Sequence, residues 1–212
     1  MSQLKGEKTL VLIKPDGVKR GLTGEIIARF EKTGLKIAAL KMVWVDKDFA
    51  AKHYPSSRME FLKGMGEKTI QTYAKYGKSP KQEMGTDDPV EIGKMVNHWN
   101  LEFLTSGPVA AIVLEGLHAV DNVRMVVGNT IPAFAPPGTI RGDYSIDSPA
   151  LANERKRALH NLVHASGTID EAAQEITLWF SPEETADPAE NGSDRLCHYL
   201  TPRASKLCTL RS

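Results

Sequence analysis

The amino-acid sequence predicts an α/β (α+β) fold whose elements follow in the order β-α-β-(α)-β-α-β-α. Three observations predict it. Four short runs of β-branched and apolar residues read as strands. Between them, apolar residues recur at helical spacing behind Thr or Asp caps. Glycine and proline punctuate the joins.

Thr9–Ile13 is the first strand, and Lys14-Pro15-Asp16-Gly17 is a turn out of it. Thr23 is the candidate cap of a helix that carries Ile26, Ile27 and Phe30 and stops at Gly34. Leu35–Val45 reads as the second strand, and Asp46 or Asp48 can cap a short helix through Tyr54. Residues about 55–100 are punctuated by Gly64, Gly66, Gly77, Gly85 and Gly93, yet hold Phe61, Ile70, Tyr73, Tyr76, Ile92 and Trp99. So many apolar anchors predict an ordered, helical insertion. Asp88-Pro89-Val90-Glu91 is a helix start within it, with Pro89 in the first helical position. The expected place of this insertion is a cap on the functional cleft or on a subunit contact; a satellite hairpin packed on the core is the alternative.

Val109–Leu114 is the third strand, and a helix over His118–Val127 ends at Gly128. Ile131–Thr139, with three prolines, is a loop of fixed path. Pro149–Leu159 reads as a short exposed helix and Leu162–Ser166 as the fourth strand. Thr168-Ile169-Asp170-Glu171 is a capping box for a helix to Phe180, and Ser181-Pro182 ends it. The reading is one domain over 1–212, with the insertion and a peripheral tail over about 181–212.

Composition excludes several classes. The 27 Lys plus Arg nearly balance 26 Asp plus Glu, for a net charge of +1. A nucleic-acid role therefore has little support. No apolar run reaches the length of a membrane span, and the polar N-terminus does not read as a signal peptide. Cys197 and Cys208 are too few for a disulfide scaffold and too far apart for a zinc pair. Two thiols in a reducing compartment, the cytoplasm, is the expectation. The sequence carries no Walker-type phosphate loop, no dinucleotide fingerprint, no paired-histidine zinc motif and no nucleophile elbow.

The chemistry concentrates elsewhere. In Asn161-Leu162-Val163-His164-Ala165-Ser166, strand alternation turns His164 and Ser166 to one face. The serine hydroxyl could steer the imidazole, and Glu175, eleven residues on, could hold its other nitrogen. The same spacing also suits a satisfied core histidine and a solvated acid. Lys14, Arg124, Arg141 and the hydroxyl of Thr130 are the groups a polyphosphate needs where no phosphate loop exists. Taken singly, each reads first as a surface residue, and only their co-location would say otherwise.

Several segments together resemble the nucleoside diphosphate kinase family. They are Thr9–Val18, His53-Tyr54, Ser106–Val109, Glu115-Gly116, Pro137–Asp143, Asn161–Ser166 and Glu175–Phe180, in the family's order. The most specific are Pro-Gly-Thr-Ile-Arg-Gly-Asp and the residues around His164. The resemblance implies a ferredoxin-like four-stranded antiparallel sheet with helices on one face. It implies ping-pong transfer of a γ-phosphate, typically from ATP, to a nucleoside diphosphate. His164 matches the phosphate acceptor, Ser166 and Glu175 its orienters, and Tyr54 a tyrosine in contact with it. Lys14, Arg124, Thr130, Arg141 and Asn161 match the residues that hold phosphates and sugar. Mg2+ would arrive with the nucleotide, with no metal site of the protein's own. The partners implied are nucleoside tri- and diphosphates and further copies of the chain, as a hexamer or a tetramer. A catalytically silent scaffold of the same family is the alternative. Two departures stand out: Ala165 and Gly167 replace a glycine and an aspartate usual around that serine, which leaves metal handling to water or to another acid. The base-stacking residue falls at Phe61 or Val96, depending on where the insertion is placed.

Overall fold

The structure, a computed structural model, describes residues 6–185. Four antiparallel strands form one sheet: β1 (Glu7–Ile13), β2 (Lys36–Val43), β3 (Val109–Gly116) and β4 (Val163–Ala165). Their order, β2-β3-β1-β4, is the ferredoxin-like one. α1 (Pro15–Lys19) and α2 (Thr23–Glu31) follow β1, and α3 (Lys47–His53) follows β2. α4 (Met59–Lys75), α5 (Pro80–Met84) and α6 (Pro89–Leu104) fill the inserted stretch. α7 (Ala119–Val127) follows β3. A 3-10 turn at Pro132–Phe134, then α8 (Ile140–Tyr144) and α9 (Pro149–Glu154), lead to β4. α10 (Ile169–Trp179) and α11 (Pro182–Thr185) come last among the described residues.

β1 is apolar on both sides because both its sides are covered. Val11 and Ile13 enter one core with Ile26 and Phe30 of α2 and Val123 and Val127 of α7. Leu10 and Leu12 enter a second core with Ala50 of α3, Leu104 of α6 and Trp179 of α10. Helices therefore cover both faces of the sheet, not one. The insertion supplies α6 and so part of that second cover.

The local differences from the sequence reading have physical reasons. The expected turn at Lys14–Gly17 is the first turn of a helix. Pro15 opens α1, where its missing N–H costs nothing. Thr23 starts α2 rather than capping it, and the cap position, Leu22, makes no side-chain bond. The helix expected over Pro149–Leu159 ends at Glu154, and Lys156 turns left-handed at φ 49°. β4 is shorter than expected at both ends, and Leu162 before it has φ 67°. The helix start at Asp88 stands: its Oδ1 accepts the N–H groups of Val90 and Glu91. α4 and α6 cross in backbone contact. A Cβ on Gly66 would sit 1.8 Å from the Pro89 carbonyl oxygen, and one on Gly93 1.9 Å from that of Leu62. Most of the expected tail, with Cys197 and Cys208, lies outside the described residues. Among the described residues no helix is long and apolar enough to cross a membrane.

Candidate active site

Lys14, Arg124, Thr130, Arg141, Asn161 and His164 line one open pocket of about 300 Å³. They come from the residue just after β1, from α7 and the loop after it, from α8, from the approach to β4 and from β4 itself. Sequence spacing could not show this co-location; strand pairing does. Leu12 pairs with His164 across β1 and β4, so the residue two beyond it, Lys14, comes down beside Asn161.

The cations divide into two kinds. Lys14 is buried and donates from Nζ to Asn161 Oδ1 at 2.8 Å. Burial lowers its pKa to about 8; the Arg141 cation adds to that, and Asp16 opposes it. Arg141 is buried too, with its pKa pushed down to about 10 chiefly by burial and then by Arg124. Its guanidinium donates to the carbonyls of Asn161 (3.1 Å), Gly128 (2.9 Å) and Val163 (2.6 Å). Three of its five N–H groups are thus spent holding backbone around the site. Arg124 is exposed, and its guanidinium meets no hydrogen-bond partner among the described residues. The Asn161 side chain bridges Lys14 to the carbonyl of Thr130, at 2.9 Å from the latter.

Glu175, on α10, gathers the other predicted groups. His164 Nε2 lies 2.7 Å from Glu175 Oε1, and Ser166 Oγ donates to Oε2 at 2.6 Å. The serine therefore acts on the carboxylate and not, as the sequence suggested, on the imidazole itself. Ser166 is fully buried, and the Leu10 N–H donates to its hydroxyl at 3.3 Å. Burial, then the Lys14 and Arg141 cations, hold the His164 imidazole well below its ordinary pKa, with Glu171 opposing. Burial raises the Glu175 pKa, and the hydrogen bond from Ser166 counters it. The ring packed on His164 among the described residues belongs to His53, with centroids 4.6 Å apart and planes at 86°. Tyr54 packs on His53 in turn, also at 4.6 Å. Burial raises the Tyr54 pKa, and Glu175 reinforces it.

Sequence reasoning missed three of the site's neighbours. His53 is buried; its Nδ1 accepts from Trp179 Nε1 at 3.3 Å and lies 3.7 Å from Glu175 Oε1. Both residues lie inside segments quoted above, but nothing in their spacing assigns them. Phe103 lies under the Lys14 ammonium, 5.8 Å from the ring centre, and stacks on His160. Neither Phe61 nor Val96 lines the pocket. The departure at Gly167 also has a structural counterpart. Glu171 Oε2 accepts the Gly167 N–H at 2.7 Å, and a Cβ built at 167 would lie 2.6 Å from it.

Residues 7–70 and 90–185 match the sequence profile of the family described as Nucleoside diphosphate kinase. The chain belongs to this family. The nucleoside diphosphate kinase of Pyrobaculum aerophilum is 52% identical over 181 residues, which is 85% of this chain and 98% of that one. The enzyme of that name from Pyrococcus furiosus is 39% identical over 84% of this chain and 85% of its own. The crystal structure of the Pyrobaculum aerophilum NDP kinase has a TM-score of 0.82 to this fold, with 51% identity over 86% of this chain and 100% of that one. The nucleoside-diphosphate kinase of Borrelia burgdorferi, solved as a transition-state mimic with bound vanadate and ADP, has a TM-score of 0.69 at 33% identity, over 93% and 98% of the two chains. The profile leaves residues 71–89 unmatched, which run from the end of α4 through α5.

Proposed function

We propose that this chain transfers the γ-phosphate of a nucleoside triphosphate, typically ATP, to a nucleoside diphosphate through a phosphorylated His164. Phosphate transfer between nucleotides follows from family membership. The residue roles rest on one observation above all: Glu175 holds His164 by Nε2 at the wall of a cationic pocket.

With Nε2–H donating to Glu175, the Nδ1 lone pair is the nucleophile; Nδ1 meets no hydrogen-bond partner among the described residues. Lys14, Arg124, Thr130 and the unspent N–H groups of Arg141 bind the polyphosphate and hold phosphorus in line with Nδ1. Asn161 keeps Lys14 and the Thr130 loop in register. As the Nδ1–P bond forms, the bond to the β,γ-bridging oxygen breaks and its electrons leave with the diphosphate. Positive charge grows on the imidazole, and Glu175, set by Ser166, stabilises it. The cations take up charge on the transferring oxygens. His53 walls the ring from behind, and Tyr54 backs His53. A second diphosphate reverses the steps.

Mg2+ would supply charge neutralisation on the phosphate oxygens. The pocket lining is cationic, amide, hydroxyl, imidazole and apolar, with no carboxylate among the described residues. That donor set fits an ion carried in on the nucleotide rather than caged by protein. Glu171, on the Gly167 amide, is the acid this chain offers beside it. The partners are then nucleotides and further copies of the chain, in the cytoplasm. The edge strand β2 supports assembly, since it exposes Leu40 and Met42, with Trp44 exposed just beyond its end.

Incubation with γ-labelled ATP should label His164 with an acid-labile, base-stable phosphate that chases onto added GDP. His164→Ala should lose label and turnover together. Acid-stable label would move the assignment to Ser166, and turnover above about a hundredth of wild type in His164→Ala would end the histidine mechanism.

A further inference from the structure

Leu162 is a fully buried leucine at φ 67°, in the left-handed region that a bulky residue rarely enters. The N–H of Val163 donates to the carbonyl of Asn161 at 2.7 Å, closing a three-residue turn around it. Such a turn is strained and persists only where the surroundings over-determine it. Here both polar groups of Leu162 are captured by one segment of chain. Its N–H donates to Asp16 Oδ2 at 3.0 Å, and its carbonyl accepts the Lys14 N–H at 2.8 Å. Gly17 lets that segment approach, because a Cβ there would lie 3.3 Å from the Leu162 carbonyl oxygen and 2.8 Å from Ile13 Cγ2. The turn sits two residues before His164. It is the entry to β4, the strand that carries His164.

The second Asp16 oxygen, Oδ1, is buried and has no hydrogen-bond partner among the described residues. A carboxylate half-used in this way needs an electrostatic reason. The charged and titratable groups that act on Lys14 or feel it are Asp16 from α1, Arg141 from α8, His164 from β4, His160 just before it and His53 from α3. Asp16 is the acid that favours the Lys14 cation, against burial and Arg141.

We propose that Asp16 is a positioning residue for the transfer: one carboxylate oxygen clamps the strained Leu162 turn that presents His164, and its charge balances the buried Lys14 cation. The two roles separate by substitution. Asp16→Asn keeps an oxygen for the Leu162 N–H and removes the charge. Asp16→Ala removes both.

The inference rests on His164 as the phosphate acceptor, so two readouts are needed. The first is ADP affinity against pH, which requires no transfer. Lys14 is cationic below about pH 8, so wild-type affinity should fall as pH rises through that value. In Asp16→Asn the fall should come at lower pH. The second is the rate of His164 labelling by ATP at neutral pH, with folding checked by thermal melting. Asp16→Ala should be slower by on the order of a hundred-fold, the cost of a small misplacement. Asp16→Asn should be closer to wild type, because its turn is still clamped. If Asp16→Ala does not fold, the Asp16→Asn affinity profile decides. Coincident profiles for Asp16→Asn and wild type overturn the proposal, and so does wild-type labelling by folded Asp16→Ala. Absence of label on wild-type His164 would instead sink the histidine mechanism, leaving the affinity profiles to judge Asp16.

Discussion

His164 and His53 meet edge to face beside a single carboxylate, and burial keeps both imidazoles neutral. Neutrality is what a nitrogen nucleophile requires, because a protonated ring has no lone pair to offer. It also links folding to pH. An imidazole whose folded pKa lies below its unfolded value of about 6.5 contributes stability that is present above that pH and is lost as pH falls. For His53, held down to about 3, the window runs from about 6.5 to about 3. Nitrogen-15 spectra should therefore show neither ring titrating near pH 6.5 in the folded protein, while the melting temperature falls steadily on acidification below that value. A normal imidazole titration of His164 would remove the electrostatic basis for its role.

At the scale of elements, the inserted hairpin is held by contact, not by length. Gly66 and Gly93 let α4 and α6 touch backbone to backbone, and α6 then delivers Leu104 to the sheet's second core. The other end of α4 reaches the phosphate-side loop. Tyr76 stacks on Phe134 at 6.0 Å, with the Lys75 ammonium over the same ring. The insertion thus touches the loop that separates Thr130 from Arg141, and none of its described residues lines the pocket itself. Gly93→Ala should destabilise the protein by about 1–3 kcal/mol or more, because the obstacle is backbone and cannot rotate away. Hydrogen exchange should locate the loss in α4 and α6. Uniform protection in that variant would mean that the helices are not in the close contact described.

For the whole molecule, β2 is an edge strand of the sheet among the described residues, and Leu40 and Met42 on it and Trp44 just after it are 51%, 58% and 67% exposed. An apolar row on an open edge invites another chain. Lys41 does not guard it, since its ammonium is engaged by Glu184 of α11. Leu40→Lys with Met42→Lys should lower the mass in sedimentation equilibrium while the helical signal persists. An unchanged mass would mean that this edge carries no contact between copies of the chain.

The amino-acid sequence makes the strand segments legible, because β1 and β3 are continuous apolar runs that only a sheet buried on both faces can accept. It determined the family, because motifs such as Pro-Gly-Thr-Ile-Arg-Gly-Asp are long and specific, and with it a set of chemically capable residues. It misread Lys14–Gly17 as a turn and Ser166 as a partner of the imidazole, since local spacing reports a direction and never a partner. The tertiary structure alone decided that Lys14 and Asn161, far apart in the chain, share a hydrogen bond, and that Arg141 spends its donors on backbone. It alone placed His53 against His164, Trp179 against His53, and Asp16 on the Leu162 amide. The reason is physical: periodicity encodes which face of an element is buried, but the contacts between elements follow from how strands pair and helices cross, and those depend on the whole chain at once.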